Sequence, residues 1–195
     1  MMFYEENITH KSLDDVDIRV GLVFPDYYKN ALLSLGYELI YHMINERDDC
    51  YCERIIYPHT KSIETNSSLK DFDILSFTMH YTIGYQRLPE LLRNADIPIL
   101  SEDRTSDDPL IIAGGPCISA NPMPLKRFLD ICCIGEGECI LNPLIDTYKR
   151  FENPKDNLEE FLKVKGLYIP KLNNRAQIAL IDDMDKKFHM YHQLQ

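Results

Sequence analysis

Residues 109–142 read PLIIAGGPCISANPMPLKRFLDICCIGEGECILN, and no other stretch restricts the possible folds as much. Two short apolar runs, 110–113 and 131–134, each end at a glycine, and each is followed by a segment able to become a helix. Continuous apolar runs of this length suit strands covered on both faces. A glycine directly after a strand permits a tight turn, or a close backbone approach, that a side chain would obstruct. The pattern predicts parallel strands delivering glycine loops to one edge of a sheet.

The remaining segments extend that pattern. Residues 1–17 are polar and mixed and read as an arm, while residues 18–24 (IRVGLVF) form a nearly unbroken apolar strand stopped by Pro25. Residues 30–47 place Leu32, Leu35, Leu39, Ile40 and Met43 at helical spacing behind Asn30 as N-cap, which predicts one crossover helix. Further strands are expected at 53–57, 72–79 and 97–100, with helices at 85–94, around Pro89, and at 138–151. A short helix precedes the strand at 131–134. This alternation predicts a doubly wound parallel α/β sheet, flavodoxin-like or Rossmann-like, over residues 18–153. Ligands of such folds lie beyond the carboxyl ends of the strands, so the loops at 25–29, 58–60, 80–84, 114–119 and 135–138 carry the functional interest. Residues 154–195 form an extension, with a short helix at 158–164, a β-hairpin made of 166–170 and 177–181, and a polar tail. It is too small to enclose a core of its own and should pack on the sheet.

Charge and cysteine usage narrow the function classes. A formal net charge of −10 argues against the chain wrapping a nucleic-acid backbone, which needs a basic surface. No apolar run approaches the roughly 20 residues of a membrane helix, and the polar, acidic N-terminus does not resemble a signal peptide. The expected location is cytoplasmic, where the six cysteines remain thiols. No zinc-ribbon or iron–sulfur spacing occurs among them. P-loop, G-x-G-x-x-G and G-x-S-x-G motifs are absent, which disfavours the usual phosphate cradles and the serine-hydrolase elbow. Cys117, just after the Gly114-Gly115 turn, with His59 or His80 at strand ends, is a candidate thiol–imidazole pair for a hydrolase or transferase. Tyr27, Tyr28, Tyr37, Tyr41 and Tyr81 are candidates to stack on a planar ligand or to pack in the core. Taken alone, the glycine pairs read equally as a ligand site or as tight strand–helix turns with Glu138 near a helix N-terminus.

Taken together, IIAGGPCISANPMPLKRFLDICCIGEGE resembles the strand–GGP–turn–strand–GEGE signature of the cobalamin-binding domain that precedes the catalytic barrel in B12-dependent radical S-adenosylmethionine (SAM) enzymes. RVGLVFPDYYKNALLSLGYELIYHMIN and DFDILSFTMHYTIGYQRLPELL resemble the matching parts of an uncharacterised radical SAM family, so the resemblance covers residues 18–170. It implies that Gly114, Gly115 and Pro116, with Gly135, Glu136 and Gly137, bound a pocket for the nucleotide tail of cobalamin. Thr78 and Thr82 resemble the S/T-x-x-x-T hydroxyls lining that pocket. The chain departs from the pattern after its first strand, where Pro25-Asp26-Tyr27-Tyr28 replaces D-x-H-x-x-G, so cobalt would lack that histidine. It also contains no C-x-x-x-C-x-x-C. The resemblance therefore implies no catalytic residue and no metal ligand in this chain. The 4Fe–4S cluster and S-adenosylmethionine belong to a barrel in cis that these residues do not include. The alternative is an interaction or scaffold domain that has lost B12.

Overall fold

The structure, a computed structural model, describes residues 8–183 and 185. Its sheet holds β1 (Ile18–Phe24), β2 (Cys50–Ile56), β3 (Ile74–Thr78), β4 (Leu110–Gly114), β5 (Ile131–Cys133) and β6 (Leu167–Tyr168). The strand order is β2-β1-β3-β4-β5-β6, with β1 to β5 parallel and β6 antiparallel to β5. This is the expected α/β architecture in its flavodoxin-like order. Helices α1 (Tyr28–Ala31), α2 (Leu35–Asn45), α3 (Gly84–Asn94), α4 (Pro116–Ala120) and α5 (Gly137–Tyr148) lie between and after the strands. No helix among the described residues is long and apolar enough to cross a membrane.

Strand alternation sorts the apolar residues into two cores. Val20, Leu22, Cys52, Ile112 and Cys133 pack with Tyr37, Tyr41 and Ile44 of α2 and Leu144 of α5. Val23, Ile55, Phe77, Ile111 and Cys132 pack with Leu88, Leu91 and Leu92 of α3. Adjacent Cys132 and Cys133 thus enter opposite cores, as side chains of neighbouring strand residues must.

Four local expectations are corrected. The helix expected over 30–47 is two helices, because the chain turns at Leu32–Ser34 and Ser34 caps α2, its Oγ accepting from the Tyr37 N–H at 3.3 Å. Asn30 caps nothing and instead donates through Nδ2 to Asp26. Residues 97–100 make no strand: Ile97 N–H bonds back to Leu92, Pro98 has no N–H to give, and the carbonyls of Pro98 and Ile99 accept from Arg104. No hairpin joins 166–170 to 177–181. Asn174 accepts from Ile169 N–H and donates to Leu167 C=O, folding 167–174 onto itself, and the two flanking segments pair with β5 and the turn after it. Leu167–Tyr168 runs antiparallel along β5, while Ala179 bridges Gly135 in parallel. The helix expected at 158–164 is a 3-10 stretch, Pro154–Lys163, broken at Asn157; it places Leu158 and Phe161 in the α2–α5 core. The polar tail lies almost wholly outside the described residues.

Candidate functional site

The helix following β1 covers one face of the sheet and the helix following β3 covers the other. The loops leaving β1 and β3 therefore diverge, and the crevice between them is the switch point where such sheets take ligands. A cavity of about 170 Å³ opens there, roofed by α2 and α5 and floored by the ends of β1, β3, β4 and β5.

Backbone forms much of its wall. β4 ends at Gly114, paired with Thr78, and Gly115 adopts φ 101°, where a Cβ would stand 2.9 Å from the Met79 carbonyl oxygen. Gly135 at φ 113° leaves no room for a Cβ beside the Ala179 carbonyl. Positive φ and close approach each require glycine. The two loops are tied together by the Gly135 N–H, which donates to Ser119 Oγ at 3.0 Å. Pro116 and Gly137 complete the glycine side of the lining, while Leu39, Ile40 and Leu141 supply an apolar roof. Burial pushes the Cys133 thiol, also in the lining, up to about 12, so it stays protonated near neutral pH.

The polar groups come from β3. Ser76 and Thr78 are two residues apart, hence on the same face, and both line the cavity together with His80. Burial lowers the pKa of His80, favouring neutral imidazole. Its Nε2 lies 3.0 Å from Ser34 Oγ, joining the cavity wall to the cap of α2. Thr82 falls outside this lining, beyond the strand, where its carbonyl accepts from Tyr85 N–H. Glu136 is also outside it, accepting from the Ile181 N–H. Thr78, Gly114, Gly115, Pro116, Gly135 and Gly137 are brought together. Ser76 was missed, although strand alternation from Thr78 points to it.

The loop after β1 is spent on itself. Arg87 of α3 donates to the Pro25 carbonyl at 3.1 Å, ion-pairs with Asp26, and lies over the rings of Tyr27 and Tyr57 at 4.9 and 4.5 Å. Burial alone would raise the pKa of Asp26, but Arg87 and the hydrogen bonds from Tyr27 and Asn30 outweigh it and hold the carboxyl below its usual range. This clamp occupies the position where D-x-H-x-x-G would present its histidine. The thiol–imidazole pair does not assemble on His80: Cys117 Sγ donates to the backbone carbonyl of His80 at 3.3 Å, while the imidazole faces Ser34. Among the described residues, no group of three or more His, Cys, Asp or Glu side chains is placed to hold a metal ion. Tyr37 and Tyr41 are core residues, whereas Tyr81 stands 61% exposed, beside His80 in a neighbouring hollow.

Residues 36–170 match the model of the family described as "Radical SAM proteins, N-terminal". The chain is also similar to the uncharacterized protein MJ0966 of Methanocaldococcus jannaschii, with 21% identity over 155 residues, 78% of this chain and 32% of that protein. It spans about a third of the length of this curated relative.

Proposed function

We infer, for a chain that belongs to the family of radical SAM protein N-terminal regions, that it is a cofactor-carrying domain whose cavity receives the nucleotide tail of cobalamin. One observation carries this reading: the glycine-walled cavity at the switch point, with hydroxyls on its floor. Its shape and chemistry fit a flat heteroaromatic group. Glycine backbone lets such a group lie against the chain, the apolar roof covers its faces, and Ser76 and Thr78 can donate to a ring nitrogen. Gly114, Gly115, Pro116, Gly135 and Gly137 would flank the tail. His80 adds a neutral imidazole to the lining, and the clamped loop after β1 offers cobalt no imidazole. Bound cobalamin would supply a cobalt centre able to carry an alkyl group. The residues here bind, orient and shield.

On this reading the 4Fe–4S cluster and S-adenosylmethionine reside in a catalytic barrel joined in cis, which docks on the carboxyl edge. Tyr27, Leu32, Leu33, Tyr81 and Ile83 on the loops of that edge, and Leu35 at the start of α2, all expose apolar surface, which suits an interaction site. The same rim supports a second reading, an interaction module that no longer takes B12. Titration with hydroxocobalamin followed by gel filtration separates the two. Retained visible absorbance, lost in a Thr78→Val, Ser76→Ala variant, supports cofactor carriage. A folded wild-type chain that elutes colourless refutes it and leaves the interaction module.

A further inference from the structure

A more spacious cleft lies at the opposite end of the sheet and shares no lining residue with the cavity. Beneath the amino ends of β4 and β5, a cleft of about 720 Å³ is walled by four stretches, within 101–106, 126–130, 155–158 and 168–173. That volume is in the range of small-molecule sites. Leu129, Leu158, Tyr168 and Pro170 contribute apolar surface.

Its charge runs against that of the chain. Five cations, Arg104, Lys126, Arg127, Lys155 and Lys171, face three carboxylates, Glu102, Asp130 and Asp156, in a protein of formal charge −10. Two of the cations are structural. Arg104 is fully buried, pairs with Asp130 at 3.0 Å and donates to the Phe128 carbonyl, and Lys155 donates to the Thr105 carbonyl at 2.5 Å. The others are free to act on a ligand. Lys126 and Lys171 make no ion pair among the described residues. Arg127 is held only by an exposed contact with Glu102, at 65% and 68% exposure, which is worth little in water.

We propose that this cleft binds a phosphorylated small molecule of mononucleotide size, its organic body on the apolar floor and its phosphates between Lys126, Arg127 and Lys171. Several cations converging from separate segments suit a multiply charged group better than a single carboxylate. The site is independent of the cobalamin reading and stands if that reading fails.

Isothermal titration of the chain with ADP, pyrophosphate and inorganic phosphate, at low and moderate salt, tests the proposal. ADP should bind more tightly than pyrophosphate, because only ADP uses the floor, and pyrophosphate more tightly than phosphate. The Lys126→Glu, Lys171→Glu variant alters exposed positions only and should weaken ADP at least about tenfold. No binding by folded chain, equal affinity for all three probes, or ADP affinity unchanged in the variant would each overturn the proposal.

Discussion

At the amino edge of the sheet, each of the five parallel strands follows an aspartate, Asp17, Asp49, Asp73, Asp108 and Asp130, no more than two residues upstream. These carboxylates staple the edge. Lys149 bridges Asp17 and Asp49 at 2.8 and 2.5 Å, Asp73 accepts from the Arg19 N–H, and Asp130 accepts from both Arg104 and the Ile111 N–H. At the carboxyl edge the same strands run into glycines, hydroxyls and a histidine, and their loops expose apolar side chains to solvent. The strand starts are pinned by these charges; the strand ends rely on backbone geometry and leave apolar surface open. The lesson is that the parallel sheet is fastened differently at its two edges, by charge where the strands begin, beside the cationic cleft, and by glycine backbone and packing where they end.

The largest test of that division is Asp130→Ala. It strands the buried guanidinium of Arg104 and frees the Ile111 N–H, so urea denaturation should show a loss of about 3–5 kcal/mol. A near-neutral result would break the comparison. Gly135→Ala comes next, since it must adopt φ 113° and displace the Ala179 carbonyl. It should cost about 2 kcal/mol, and failure to lower the denaturation midpoint would mean that the second glycine loop is not built as described.

Acidification should separate the edges by pH. Burial holds the folded-state pKa of His80 below its ordinary value of 6.5, so the unfolded chain takes up that proton first, and stability falls as pH drops below about 6.5. The pKa of Asp49 is depressed, chiefly by its hydrogen bonds from Arg47 and further by Lys149, against the opposing effect of burial. Its contribution is complete above about 4 and is lost only as pH falls below that. Melting temperature against pH should therefore decline in two steps, the upper one absent in His80→Asn and the lower one reduced in Asp49→Asn. Coincident steps would count against assigning them to separate edges. The smallest effect is expected for Leu33→Ser with Tyr81→Ser, both exposed, where stability should shift by no more than about 0.5 kcal/mol. A larger destabilisation would show that the rim is part of the core.

Much of the fold was legible because β1, β4 and β5 are buried on both faces and so appear as apolar runs, broken only by Arg19 of β1, that end at Pro or Gly. What was not legible depended on partners distant in sequence. Nothing near Ile97 announces that the next two carbonyls belong to Arg104, and the apparent hairpin at 166–181 is diverted because the outer side of β5 needs a neighbour. The cavity was half legible. Glycines after strands name themselves, but motif spacing pairs Thr82 with Thr78 and passes over Ser76, whereas the two-residue strand period selects Ser76 with Thr78. The aspartate before each parallel strand was visible in the sequence, but its meaning depended on where Arg104 and Lys149 would fold.

The turnabout at β6 has a mechanical consequence. Because the chain reverses along β5 and returns through Ala179 to the turn at Gly135, Ile181 lies beside the cavity's edge, held through its N–H by Glu136. A load applied to the chain at Ile181 would pass through Glu136 and Ala179 into the second glycine loop, so the wall of the cavity and the segment that follows β6 are mechanically one piece.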